Sequence, residues 1–233
     1  MFVYLSPSNQ IANTYYGGNH NENYWCEKIA KVTYDALIRN HVKAVLPTSD
    51  SMYSRVGEAN AMVRSLGEDM LYVPIHTNAT GLKNSTRRGT NIYNYDTQKG
   101  QALAWRIYNA VMDIEGAAVG KGGIPVNKTW YEMKNSTGVC AYCELEYHDS
   151  KEGAEWITGH IVELGEAVAR GICDYMGRKF VEPKQDDASE GKETLYYVQI
   201  GAFSVRANAE AYMRKAIADG YGAFIKTAVD FVK

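Results

Sequence analysis

"YVPIHTNATG" (72–81) is the stretch where an apolar run breaks off into a histidine and amides. Val73, Pro74 and Ile75 read as the end of a buried strand, "MLYVPIH" (70–76), and Thr77 and Asn78 follow at once. Short apolar runs of this kind suit a parallel sheet covered on both faces. The flanks support that. Upstream lie a helix, "SMYSRVGEANAMVRSLG" (51–67) with Ser51 near its cap, and a strand, "VKAVLP" (42–47). Before them come another helix, "NENYWCEKIAKVTYDALIRN" (21–40) with Asn21 at the cap, and the opening strand "MFVYLSP" (1–7). Downstream, "RGTNIYNYD" (88–96) and "GVCAYCELEY" (138–147) read as strands and 97–116 as a helix stopping at Gly116. A long helix over 151–177 is broken near Gly159. Strands separated by helices predict an α/β fold with a mostly parallel, twisted sheet and helices on both faces.

The composition changes after this. "VEPKQDDASEGKET" (181–194) is charged, holds Pro, Gly and Ser, and has little to bury, which predicts a linker. Beyond it, residues 195–233 read as a strand, a helix capped near Ser204 or Asn208 with a stop at Gly220, and a second strand. The organisation expected is a main domain over 1–180, a linker over 181–194 and a small βαβ piece over 195–233. A piece that small rarely folds alone, so it either pairs with a second copy, giving a homodimer, or continues in further chain.

With 45% hydrophobic and 22% charged residues the chain has the balance of a soluble globular protein. A net charge of −2 leaves no basic field for nucleic acid. No window approaches the ~18 apolar residues of a membrane span, and the start reads as a strand rather than a secretion signal. Synthesis in a reducing compartment is expected from the cysteines: "CAYC" (140–143) lies in a strand pattern, where i and i+3 point to opposite faces. Eighteen tyrosines and four tryptophans are found in sugar-binding proteins and also in aromatic-rich cores, and composition alone favours the core.

In open α/β sheets, sites form outside the carboxyl ends of strands. Ser8, Asn9 and Gln10 follow the first strand, His76 ends the third, and Glu144, Glu146, His148 and Asp149 mark the last, with Glu22 opening the first helix. Imidazole with carboxylate is zinc-ligand chemistry, and a hydrolytic site keeps three protein ligands and an open position. The plainer readings stay open on spacing alone. His76 could cap a loop, Glu22 could serve the helix dipole, and Glu144 or Glu146 could pair with Arg87 or Arg88.

Five motifs in order then resemble the zinc-dependent N-acetylmuramoyl-L-alanine amidases of the amidase_3 family, across 1–177. They are "ENYWCEKIA" (22–30), "SRVGEANAM" (54–62), "VPIHTNA" (73–79), "GTNIYNYD" (89–96) and "YCELEYHDS" (142–150). The resemblance implies cleavage of the amide between the muramic acid lactyl group and L-alanine in peptidoglycan, with Glu22 and His76 as zinc ligands and Glu144 as catalytic carboxylate. One departure stands out. The family's first strand ends Asp-Pro-Gly-His-Gly with a ligand histidine, and here the chain reads "LSPSNQ" (5–10) with Asn9 at that place. His148 is the first candidate for the missing ligand, then His20 or Gln10. Asn9, Gln10, Asn78, Arg87 and Arg88 are candidate substrate contacts, the arginines for a stem-peptide carboxylate. The "SPSNQ" form is similar to phage and prophage lysins of Gram-positive anaerobes, which implies synthesis in the cytoplasm and action at the cell wall after phage-type release, as lysin or autolysin.

The tail, "YYVQIGAFSVRANAEAYMRKAIADGYGAFIK" (196–226), resembles the first half of a SPOR domain. That implies binding of peptidoglycan glycan strands stripped of stem peptides. Two rivals remain: a cell-wall zinc peptidase, and a wall-binding module that keeps the amidase fold without catalysis.

Overall fold

Alternate residues of β1 (Phe2–Pro7) bury to both sides, and this two-sided burial sets the layer order. In the computed structural model, residues 1–18, 20–82, 85–115, 122–183 and 203–218 are described. The chain divides into two compact units, Met1–Pro183 and Lys184–Lys233.

In the first unit the elements after β1 are α1 (Glu22–Arg39), β2 (Ala44–Val45), α2 (Met52–Leu66), β3 (Met70–Asn78), β4 (Asn91–Asn94), α3 (Gln98–Glu115), α4 (Tyr131–Asn135), β5 (Val139–Tyr147), α5 (Lys151–Gly159) and α6 (Ile161–Tyr175). The five strands form one sheet in the order β2-β1-β3-β5-β4. All neighbours run parallel except β4, which pairs antiparallel with β5 at an edge. Val3, Leu5, Val73, Ile75, Cys143 and Leu145 meet α1, α3 and α6 in one core. Tyr4, Tyr72, Cys140 and Tyr142 meet α2 and α4 in the other. Cys140 and Cys143 thus bury on opposite faces as free thiols, as the period-2 rule requires.

Local chemistry sets the boundaries. Asn21 caps α1, its side chain accepting from Tyr24 N at 2.9 Å. Gly67 ends α2 in the left-handed region, at φ 63°. Ser51 flanks α2 without a side-chain cap bond. The break expected near Gly159 falls at His160, where α5 ends and α6 starts. Ser150 caps α5, accepting from Gly153 N.

β3 departs from expectation in a way that matters. It runs two residues beyond His76, to Asn78. His76 is therefore an in-register strand residue opposite Glu144 rather than a terminal one. Between the pairs His76↔Glu144 and Asn78↔Tyr147, β5 carries one residue more than β3, a β-bulge. Glu146 sits in that bulge at φ 57°.

In the second unit, α7 (Arg206–Ala218) lies in the helix expected there. An Arg206–Glu210 pair at 2.8 Å supports its first turn. The two tail strands, apart from Phe203, and most of the linker lie outside the described residues. No described helix is long and apolar enough to cross a membrane.

Candidate metal and catalytic site

Three parallel strands deliver the site at their carboxyl ends. β1 leads into Ser8 and Gln10, β3 carries His76, and β5 carries Glu144. Glu22, the first residue of α1, comes up beside them and is 1% exposed. Its Oε1 lies 2.9 Å from His76 Nδ1, and its Oε2 accepts from Asn13 Nδ2 at 2.9 Å. Burial opposes the charge on Glu22, but bonds from His76, Asn13 and Ser8 outweigh it and hold the carboxyl below its usual pKa.

His76 is 5% exposed and its ring stacks on Tyr142 at 4.6 Å. On its other nitrogen, Nε2 lies 3.8 Å from Glu132 Oε2. Burial alone would lower its pKa. Glu132, Glu22 and Glu144 override that and carry it up to about 10. In Glu144 burial dominates: tempered by His76 and reinforced by Glu22, it pushes the carboxyl up to about 7. Glu144 Oε2 is buried with no hydrogen-bond partner. A carboxyl that changes charge near neutrality is suited to taking and returning a proton.

The turn after β1 decides which amide reaches His76. Asn9, at the family's histidine position, donates instead to Asp50 O at 2.9 Å. Gln10, though exposed, reaches the site, with Nε2 3.3 Å from His76 Nδ1 and Oε1 accepting from Asn13 at 2.7 Å. Buried Arg55, on α2, fixes this turn by donating to Pro7 O and to Ser49 O.

The other expected residues bond to or stack on other partners. His148 Nδ1 is 2.9 Å from Thr77 Oγ1 and 3.0 Å from Thr77 O, and its ring stacks on Tyr15, whose hydroxyl donates to the same Thr77 Oγ1. Burial lowers the His148 pKa. His20 stacks on Tyr24 at 3.8 Å. Asn78 turns back to accept from Ala79 N. Arg87 lies over the Tyr147 ring. Arg88 Nε lies 3.1 Å from Glu146 Oε1, without the alignment of a hydrogen bond, and Nη1 reaches Glu152. The bulge thus separates Glu146 from Glu144, so the two do not share a face as simple alternation predicts.

The donors fit zinc at two places, Glu22 and His76, with an unpartnered carboxylate oxygen on Glu144 nearby. Among the described residues no three His, Cys, Asp or Glu side chains are grouped to hold a metal. Among the described residues, side-chain amides in contact with this pair are Gln10, beside His76, and Asn13, beside Glu22.

Sequence reasoning missed Glu132. It lies on α4, only five residues long, and is 2% exposed. The signal available was the row of polar groups on one sheet face, Ser6, Tyr72 and His76, which call for a buried acceptor between them.

This fold is shared by solved N-acetylmuramoyl-L-alanine amidases. AmiC2 of Nostoc punctiforme is 23% identical at a TM-score of 0.63, over 76% of this chain and 98% of that one. The catalytic domain of CwlV from Bacillus (Paenibacillus) polymyxa var. colistinus is 18% identical at 0.61, over 77% and 100%. The amidase of Clostridium difficile 630 is 18% identical at 0.63, over 76% and 96%. Met1–Pro183 has the amidase_3-like fold. Residues 192–233 match the SPOR domain family. A comparison with curated proteins found no match.

Proposed function

We propose that the chain is a peptidoglycan amidase, cleaving the bond between the N-acetylmuramic acid lactyl group and L-alanine of the stem peptide. The observation that carries this reading is the convergence of Glu22, His76 and Glu144 at the carboxyl edge of an amidase_3-like sheet. Glu22 and His76 would hold a zinc ion, with Gln10 the candidate for the third donor because its side chain already touches His76. Bound there, zinc would polarise the scissile carbonyl and lower the pKa of a water. Glu144, poised near neutrality with a free oxygen, accepts the proton of the attacking water and returns it to the leaving amine. The polar sequence after His76, with Asn78, Arg87 and Arg88, would face the stem peptide. Residues 192–233, as a SPOR domain, would hold the enzyme on glycan strands of the wall, in a lysin or autolysin role.

The test is product analysis on purified peptidoglycan with zinc added. The expected products are free lactyl ends and new L-alanine amino termini. New amino termini inside the stem peptide would make the chain a wall peptidase instead. No bond cleavage, with wall binding retained, would make it a binding module on an amidase fold.

A further inference from the structure

We propose that Glu132 is a positioning residue for His76, orienting the ring so that Nδ1 is the nitrogen offered to the metal. This rests on the reading of Glu22 and His76 as metal donors. An imidazole has two nitrogens, and a metal ligand needs one of them unprotonated and correctly aimed. A partner on the far nitrogen sets both properties. In this chain Glu22 faces Nδ1 at 2.9 Å and Glu132 faces Nε2 at 3.8 Å.

Glu132 is built for that place. Its Oε1 accepts from Ser6 Oγ at 2.7 Å and from Tyr72 OH at 2.9 Å. Those two bonds occupy one oxygen and leave Oε2 turned to His76. β1 supplies Ser6, β3 supplies both Tyr72 and His76, and α4 supplies Glu132, so the group is anchored on three elements. The exit of α4 is tied as well, because Asn60 of α2 donates to Asn135 O and accepts from Thr137 N. A buried carboxylate needs compensation. Among the described residues the ion-pair partner of Glu132 is His76 alone.

The chemistry separates this role from a packing role. A glutamine at 132 could keep the bonds from Ser6 and Tyr72 through its oxygen. It would then turn an amide NH₂ towards Nε2, favouring the ring form with its proton on Nδ1, the position the metal needs. An alanine would leave a cavity and no directed repulsion. Positioning therefore predicts that Glu132→Gln harms metal binding at least as much as Glu132→Ala. A packing role predicts the reverse order.

The experiment is a zinc titration of the full chain against a competing chelator, for wild type, Glu132→Gln and Glu132→Ala, with near-UV circular dichroism to check the fold. Both variants are expected to bind zinc about 10–100-fold more weakly while folded, with the glutamine no better than the alanine. Wild-type affinity in Glu132→Gln would overturn the positioning role and leave the metal reading intact. No zinc uptake by wild type would overturn both. If the Glu132 variants do not fold, Ser6→Ala with Tyr72→Phe keeps the carboxylate but frees it to turn. A several-fold loss of affinity there supports the role, and an unchanged affinity overturns it.

Discussion

Glu144 owes its chemistry to its neighbours. The sequence puts a carboxylate on a strand, and burial in the sheet with Glu22 beside it, against the pull of His76, raises it to a pKa of about 7. Glu144→Gln keeps the shape and removes the base, so turnover on peptidoglycan is expected to fall about 10²–10⁴-fold with an unchanged fold. Residual activity close to wild type would remove Glu144 from the chemistry. Gln10 and His148 make opposite predictions for the third donor. If Gln10 fills it, Gln10→Ala weakens zinc binding and Gln10→His strengthens it, since imidazole is the better zinc donor. His148→Ala then costs stability, about 2–4 kcal/mol for a buried stacked ring, and leaves zinc stoichiometry unchanged. Zinc lost from His148→Ala but kept in Gln10→Ala would return the third place to His148. Glu22, His76 and Glu144 were legible as candidates because each sits at an element boundary or in a recognisable motif. Glu132 was not, because its partners come from β1, β3 and a helix too short to leave a periodic pattern. Nor could the motif alone tell that Asn9 turns to Asp50 while Gln10 turns to His76.

Elements are where the sequence reads best, because helix and strand periods are local properties. Asn21 caps α1, the break at His160 falls beside the glycine that announces it, and the sheet is mostly parallel as alternation implies. The bulge at Glu146 was illegible, since a one-residue offset is fixed by pairing between strands far apart in the chain. Close packing between helices is likewise a tertiary fact. A Cβ on Gly171 of α6 would lie 2.4 Å from Ile107 Cα of α3, and backbone cannot yield as a side chain can. Gly171→Ala is expected to destabilise the first unit by about 1–3 kcal/mol, seen as a lower urea midpoint. The end of α3 predicts a pH effect. Glu115 accepts from Thr90 Oγ1, its Oε2 has no partner, and burial pushes its carboxyl up to about 7 against an ordinary 4.5. Between those values the folded chain holds more protons than the unfolded one. The Glu115 contribution to stability therefore falls as pH rises from about 4.5 to about 7, by up to ~3 kcal/mol. Glu115→Gln should remove that slope, gaining stability at pH 8 relative to wild type. Identical pH profiles for the two proteins would mean that Glu115 does not titrate in this range.

At the scale of the whole molecule, the proposed function assigns cutting and holding to different stretches of chain. The solved amidases match about three quarters of this chain while being covered over nearly their whole length, so that fold is complete without residues 184–233. The SPOR match lies at 192–233. A chain ending at Pro183 is therefore expected to fold and to cleave a soluble muramoyl-peptide fragment at a kcat/KM within about twofold of the full chain, because diffusion delivers that substrate to the site. On intact walls the two should differ. A second attachment raises the local concentration of the site over an insoluble substrate, so loss of 184–233 should cut sedimentation with the wall about tenfold or more and slow release from it in proportion. Walls first stripped of stem peptides should capture the full chain better still, while offering nothing to cut. Equal sedimentation by both forms would move wall binding into Met1–Pro183. A matching loss on the soluble fragment would mean instead that the second unit supports the first in folding or catalysis, which the lengths of the solved amidases argue against.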